Sequence, residues 1–348
     1  MSRQTELPTT SPEEAGFSGD RLGRITRLMQ GYIDRGDIPG SLTVVSRKGR
    51  LVNFEALGFM DTASRKPMSE DCIFRMYSMT KPVTAVAVLM LYERGKLMLD
   101  DPVSKFIPEF ANPRVIVSQP PPGKARHWPP GRVYTEPAKR EITLRDLLTH
   151  TAGLASPRLT PIAFVSNLSD AIRGSLFFPH QDGTASPRLS IREAVEKLAA
   201  IPLSFHPGTS WQYGHEFDVL GVIVETVSGM SLEEFFQKNI FGPLEMKETS
   251  FLLPPEKVDR LMTAYTWDES WALKIYDHPR DSIKVVGPKD VFSGLGDYGG
   301  IVSTASDYFR FARMLLGKGE LEGARLLSPK TVELMASNHT GDLFIYAR

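Results

Sequence analysis

The sequence predicts a protein of the α/β plus all-α class, in which an antiparallel sheet flanked by helices is built from both termini and a mainly helical domain is inserted between them. The chain has 348 residues, enough to bury the cores of two lobes. Strand-like segments occur near both ends, whereas helical apolar spacing dominates the middle. We expect residues 10–99 and 289–348 to form the α/β lobe and residues 100–288 to form the helical lobe.

The N-terminal part of the α/β lobe begins with a helix and a hairpin. Apolar residues recur at helical spacing from Leu22 to Tyr32. Ser41–Val45 and Leu51–Ala56 are typical of strands, and the turn between them contains a glycine. Thr84–Arg94 is apolar on nearly all sides, which predicts a helix buried against a sheet and closed by Gly95.

Further elements are expected in the middle and at the end of the chain. Thr143 is placed to cap a helix whose third residue is Asp146. The other predicted elements are helices at 190–200 and 218–228, a strand at 299–303, a helix from Thr304 to Leu316 and a last helix at Pro329–Ala336.

The composition indicates which kinds of partner and which cellular compartment to expect. The chain carries 41 basic and 41 acidic residues, so its charge gives no reason to expect nucleic acid as a partner. The longest apolar run, Val83–Leu91, is too short to span a membrane. Met1–Asp20 lacks the apolar core of a secretory signal, which favours a cytoplasmic protein. The single cysteine, Cys72, is expected to be a small buried apolar residue. The sequence does not indicate an oligomeric state.

The segment Ser78–Met79–Thr80–Lys81 carries the strongest chemical signal. It follows a predicted strand, Ile73–Met76, and opens the apolar helix, so a spacing of three residues would place the hydroxyl and the amine on one face. A serine hydroxyl becomes nucleophilic when a nearby base takes its proton, and a lysine in an apolar setting can be that base. The same spacing also occurs where a helix cap precedes a surface lysine, so spacing alone leaves both interpretations open.

Longer stretches resemble a known family. The segment from Phe74 to Lys81 resembles the nucleophile motif of class C β-lactamases and family VIII carboxylesterases, within the serine β-lactamase and penicillin-binding-protein superfamily. Gly95–Val103, Ile142–Leu154 and Gly299–Thr304 resemble further segments of that family in the same order. The resemblance implies a β-lactamase/transpeptidase-like fold, Ser78 as the nucleophile with Lys81 as its activating partner, and a site in the cleft between the lobes.

The family's second motif is a tyrosine followed two residues later by Asn, or by a variable residue in esterases. Tyr213 and His215, within Pro207–His215, match this pattern. The resemblance implies that Tyr213 is the third catalytic group and shuttles the serine proton. On the sequence alone Tyr213 would be a core aromatic residue near a turn. His215 would either donate a hydrogen bond to the substrate or line the cleft.

The other histidines are expected to be structural. We expect His150 to hydrogen-bond to the backbone, and the remaining histidines lack the spacing of metal ligands. The glycines near residue 300 form neither a dinucleotide-binding nor a phosphate-binding fingerprint. The sequence therefore predicts no cofactor and no metal.

Residues 155–190 have an apolar content that is unusual for a surface loop. Phe177 and Phe178 lie within this segment. We expect it to fold over the site as a lid, with these two side chains lining an acyl pocket. The alternative is a surface excursion that packs on the helical lobe.

The C-terminal part of the chain is expected to differ from the family's pattern of motifs and strands. The family's third motif, K-T-G, H-x-G or W-G-G, lies on an edge strand whose N–H completes the oxyanion hole. His339–Thr340–Gly341 matches H-x-G only superficially, because it directly follows a predicted helix and is followed by only seven residues. We expect the chain to stop before the family's last strands, as a truncation, fragment or splice form, with weakened activity and an uncovered sheet edge.

The motifs and the resemblance predict a serine hydrolase that forms an acyl-enzyme, with carboxylesterase activity on small to medium acyl esters as the first expectation. The first alternative is β-lactamase or D-amino-acid peptidase or amidase activity, which the lack of a signal disfavours because those substrates lie outside the cytoplasm. The second alternative is a catalytically weak or non-catalytic member that binds a ligand or self-assembles. The expected partner is a small-molecule ester or amide substrate.

Overall fold

A computed structural model of the chain describes residues 7–117, 134–154, 190–286 and 300–343. The helices in these ranges are α1 (Gly19–Asp34), α2 (Thr80–Glu93), α3 (Leu144–Leu148), α4 (Ile191–Ala199), α5 (Glu216–Ser228), α6 (Leu232–Phe236), α7 (Ile283–Val286), α8 (Ala305–Leu316) and α9 (Pro329–Met335). The strands are β1 (Gly40–Arg47), β2 (Arg50–Asp61), β3 (Lys66–Pro67), β4 (Ile73–Arg75), β5 (Arg114–Val117), β6 (Tyr134–Pro137), β7 (Ala264–Trp267), β8 (Leu273–Asp277), β9 (Val302–Thr304), β10 (Glu320–Leu321) and β11 (Ala324–Arg325).

Local signals account for the N-terminal elements. Ser18 caps α1 by accepting a hydrogen bond from the backbone N–H of Arg21. The β1–β2 hairpin turns through Lys48 and Gly49, with φ of 52° and 76°, as a two-residue turn between twisted strands requires. α2 is buried along most of its length, and Gly95 follows its end with φ of 65°. The predicted helix, hairpin and buried helix are therefore confirmed.

The chain divides into two compact units, each assembled from several segments. The first unit comprises Met1–Met76, Gln237–Lys289 and Ile301–Val332. The second comprises Tyr77–Phe236, Asp290–Gly300 and Glu333–Arg348. The lobe boundaries expected from the sequence stay a prediction.

The first unit contains small antiparallel sheets. β1, β2 and β3 form one of them, and α1 packs against its first two strands. β4 pairs with β9, so an early and a late part of the chain share one sheet, as the predicted fold class requires. Cys72 precedes β4 with none of its surface exposed, which confirms it as a buried apolar residue.

The second unit is mainly helical. α2, α3 and α4 all pack against α5, which is buried from Glu216 to Val224. The β5–β6 pair adds a short antiparallel ribbon that the sequence did not predict, on either side of residues 118–133. Within the described ranges, every helix falls short of the length and apolar content needed to cross a membrane.

A buried carboxylate fixes the start of α3. Asp146 accepts hydrogen bonds from the Thr143 N–H at 2.9 Å and from Arg140, whose Nη1 and Nη2 lie 2.5 and 2.8 Å from its two oxygens. Thr143 caps α3 as expected, in a reciprocal capping box with Asp146. Burial alone would raise the pKa of Asp146, but the Arg140 guanidinium and the Thr143 hydrogen bonds lower it below its ordinary value.

The first prediction concerns how the contribution of Asp146 to the stability of the fold changes at acid pH. Because its pKa is lower in the folded chain, its contribution to stability is fully present above the unfolded value of 3.8 and is lost as the pH falls through the folded value. We expect Asp146→Asn to lower the free energy of unfolding by about 2 kcal/mol at neutral pH and by much less near about pH 3. Urea unfolding at the two pH values measures both differences.

Glu193→Gln is the matched control, because Glu193 completes the capping box of α4 with Ser190 but is fully exposed. We expect a much smaller loss than for Asp146→Asn. Equal losses in the two variants at neutral pH, or a loss in Asp146→Asn that does not change with pH, would contradict the assignment.

Candidate active site

Ser78 lies in a single 3₁₀ turn, Tyr77–Met79, and not in the α-helix that follows it. The expectation that Ser78 opens the α-helix is therefore wrong, because α2 begins two residues later, at Thr80. Tyr77 has φ of 44°, a left-handed conformation that a bulky residue rarely adopts. This strained turn leaves Ser78 exposed at the start of a buried helix.

Gly300 packs against this turn. A Cβ atom built on Gly300 would clash with the Thr80 hydroxyl and lie 2.8 Å from the Tyr77 carbonyl oxygen. The φ of Gly300 is 82°, which also favours glycine. The glycine therefore permits the close approach of two backbone segments directly beside Ser78.

Lys81 is the second residue of α2 and has only 6% of its surface exposed. Its Nζ lies 3.2 Å from Ser78 Oγ, close enough to donate a hydrogen bond to the hydroxyl or to accept its proton when neutral. Nζ also lies 4.7 Å from the ring centroid of Tyr213 and 5.9 Å from that of Phe217. These rings keep bulk water away from the amine and interact favourably with its charged form.

Tyr213 reaches the site from the loop that precedes α5. Its hydroxyl oxygen lies 2.5 Å from Ser78 Oγ, a short hydrogen bond in which either group can donate. The preceding residue anchors the loop: the Gln212 N–H donates to the carbonyl of His150 at 2.9 Å, and its side-chain amide donates to the carbonyl of Leu154 at 3.0 Å. The structure thus brings Ser78, Lys81 and Tyr213 together.

The remaining predicted site residues are His215, Phe177 and Phe178. His215 is the N-cap residue of α5, but its side chain makes no capping hydrogen bond. Its Nδ1 lies 3.3 Å from Asp218 Oδ2. Its predicted contact with substrate stays a prediction. Phe177, Phe178 and the predicted lid at 155–190 lie outside the described residues, except for Ser190, which caps α4.

A histidine and a glutamate that sequence reasoning missed complete the surroundings of Tyr213. His150 makes its backbone hydrogen bonds through its own main chain, to Leu147 and Gln212. Among the described residues its imidazole instead meets a carboxylate, with Nδ1 2.8 Å from Oε2 of Glu216. The same ring lies 4.7 Å from the ring of Tyr213, centroid to centroid. No local spacing indicates this pair, because its members are 66 residues apart.

The segment at 339–341 forms a turn. The N–H groups of Thr340 and Gly341 both donate to the side-chain oxygen of Asn338, and His339 Nε2 lies 2.7 Å from the Leu334 carbonyl. The sequence predicts that the chain stops before the family's last strands. Residues 344–348 lie outside the described residues. Across the described ranges, no three His, Cys, Asp or Glu side chains group into a metal site.

Comparison with known proteins shows which family and which relatives the chain resembles. A family model described as Beta-lactamase matches residues 25–344. Protein Rv1367c of Mycobacterium tuberculosis is 34% identical over 317 residues, which cover 89% of this chain and 70% of that protein. Lovastatin esterase of Penicillium rubens is 30% identical over 323 residues, or 90% of this chain and 72% of the esterase.

The fold is also similar to that of solved structures. The structure of EstCE1, described as a hydrolase with promiscuous acyltransferase activity, is 27% identical and superimposes with a TM-score of 0.70. The match covers 90% of this chain and 76% of EstCE1.

The second prediction tests the close approach at Gly300. We expect Gly300→Ala to lower the free energy of unfolding by about 2 kcal/mol or more, because the new methyl group meets the Tyr77 carbonyl and the backbone is strained as well. Gly95→Ala is the matched control, since Gly95 also has positive φ but nothing within 4 Å of a Cβ. The control should lose only about 1 kcal/mol. Equal losses in urea unfolding would show that backbone strain alone accounts for the effect.

Proposed function

Because this chain belongs to the beta-lactamase family, whose members include esterases and acyltransferases, we propose that it is a serine hydrolase that forms an acyl-enzyme, with carboxylesterase activity on small to medium acyl esters. The observation that carries the proposal is the convergence of two groups on the hydroxyl of Ser78. Lys81 Nζ and the Tyr213 hydroxyl lie 3.2 and 2.5 Å from Ser78 Oγ. The relatives named as esterases support the choice of an ester as substrate.

The first half of the reaction acylates Ser78. Ser78 Oγ attacks the ester carbonyl carbon while its proton passes to Tyr213 or Lys81, both within hydrogen-bond reach. The carbonyl oxygen gains negative charge, and the N–H of Ser78 is the donor that this chain supplies at the nucleophile itself. The protonated partner then donates to the departing alkoxide, so the carbon–oxygen bond of the ester breaks and an alcohol leaves.

The second half returns Ser78 to its starting state. A water molecule gives its proton to the same base and attacks the acyl carbon, and the Ser78 oxygen leaves with the proton restored. The products are a carboxylic acid and the free enzyme. Both halves need only one proton carrier close to Oγ, which is what the Tyr213 hydroxyl and Lys81 Nζ provide in this proposal.

Acyl transfer to an alcohol is a second candidate, because the same acyl-enzyme can be attacked by an alcohol in place of water. EstCE1 is described as having promiscuous acyltransferase activity. Acyltransferase mokF of Monascus pilosus is 28% identical over 347 residues. The ratio of ester to acid formed when an alcohol is added to the assay distinguishes transfer from hydrolysis.

The third prediction tests the nucleophile. We expect a fluorophosphonate probe to label the wild-type chain at Ser78, and p-nitrophenyl butyrate to be hydrolysed. Ser78→Ala should abolish both, and Tyr213→Phe or Lys81→Met should lower kcat by about 10²- to 10⁴-fold. Ser46→Ala is the matched control, because Ser46 is an exposed serine on β1 of the first unit, whereas Ser78, Lys81 and Tyr213 belong to the second. An unlabelled wild-type chain, or hydrolysis by Ser78→Ala, would contradict the proposal.

The fourth prediction concerns the proposed acyl pocket. Phe177→Ala and Phe178→Ala should shift the preferred p-nitrophenyl ester toward a different chain length, because large apolar side chains set the depth of such a pocket. The measurement is kcat/KM for acetate, butyrate, hexanoate and octanoate esters. The apparent melting temperature should change little in comparison. An unchanged chain-length profile would argue against a lid over the site.

A further inference from the structure

Glu216 is a buried carboxylate beneath the loop that carries Tyr213. Its side chain has no exposed surface, and Oε1 has no hydrogen-bond partner among the described residues. A Cβ built on Gly214 would lie 3.2 Å from both carboxylate oxygens, so the group sits directly against the loop backbone one residue after Tyr213. Such burial is strongly unfavourable for a charged group that lacks a positive partner.

Two features offset this cost. Glu216 lies in the first turn of α5, a helix of 13 residues, where the helix dipole favours a negative charge. Its Oε2 lies 2.8 Å from Nδ1 of His150. A hydrogen bond to a buried carboxylate fixes the orientation of an imidazole, and a proton on its second nitrogen makes the contact an ion pair.

The other side of this imidazole meets the catalytic group. The rings of His150 and Tyr213 lie 4.7 Å apart with 33° between their planes. Trp211 and Phe217 pack around His150, with centroid distances of 5.8 and 5.4 Å. Only 12% of the His150 side chain is exposed, so the ring is held mainly by these neighbours.

The titratable groups near His150 come from three parts of the second unit. Glu216 approaches it from α5, and Tyr213 approaches it from the loop before α5. Lys81 extends from α2 to within 4.7 Å of the Tyr213 ring centroid. Tyr213 therefore has two nitrogen-bearing side chains against its ring, one of which is held by a buried carboxylate.

We propose that His150 and Glu216 form a positioning pair for Tyr213. Glu216 holds the imidazole of His150 in one orientation, and this ring packs against the Tyr213 ring and keeps the phenol within reach of Ser78. This inference rests on the proposed function, because it assigns Tyr213 as a proton carrier.

The experiment compares variants that keep the size of each side chain. His150→Gln keeps an amide N–H for Glu216 but removes the ring, and Glu216→Gln removes the carboxylate. We expect both to lower kcat with p-nitrophenyl butyrate by about 10- to 100-fold while KM stays within about twofold. His206→Gln is the matched control, because it removes another histidine–glutamate pair, 3.1 Å from Glu136, and should leave kcat within about twofold.

A double-mutant cycle separates positioning from a general structural role. In a Tyr213→Phe background, His150→Gln should cause no further loss, because the group it positions is absent. Circular dichroism establishes that each variant is folded before its rate is compared, and Glu216→Gln carries the test if His150→Gln does not fold.

The outcomes are distinct. An unchanged kcat in both variants, or an equal loss in the Tyr213→Phe background, would overturn the positioning pair while the proposed function stands. A wild-type chain that neither reacts with a fluorophosphonate nor hydrolyses esters would overturn the proposed function, and this inference with it.

Discussion

The packing of α2 against α5 is the constraint on which the site depends. Ser78 and Tyr213 are 135 residues apart in the chain, and neither lies in a regular helix or strand. Each instead precedes the buried helix that anchors it, Ser78 by two residues and Tyr213 by three. The apolar bodies of the two helices supply the burial energy, so the Ser78 and Tyr213 hydroxyls that precede them can be held 2.5 Å apart.

Several features of this region are unfavourable for the free energy of folding. Tyr77 is in a left-handed conformation, Lys81 is nearly buried, and Glu216 and Asp218 each have a buried oxygen without a partner among the described residues. Strain and buried charge of this kind are tolerated where the surrounding packing determines the geometry, and they are concentrated at functional sites. Here that packing comes from the first two turns of α2 and α5, whose apolar side chains are almost fully buried.

The sequence was sufficient wherever the signal was local. The helix α1, the Thr143 cap of α3, the β1–β2 hairpin, the buried helix α2 and the family resemblance were all predicted and confirmed, because each depends on spacing within about fifteen residues or on an ordered set of motifs. The S-x-x-K spacing suits 3.0 as well as 3.6 residues per turn, so it did not distinguish the 3₁₀ turn at Ser78 from an α-helix. His150 and Glu216 were missed because only tertiary packing brings them together, and the β7–β8 hairpin lacked a strong turn signal.

The central claim is that Ser78 carries the acyl group between two half-reactions. The most direct test is mass spectrometry of the intact chain, acid-quenched within milliseconds to seconds of mixing with p-nitrophenyl butyrate, followed by peptide mapping. The account predicts a mass increase of one butyryl group, located on the peptide that contains Ser78 and absent from Ser78→Ala. Ester hydrolysis that persists in Ser78→Ala, or an adduct on another residue, would contradict it.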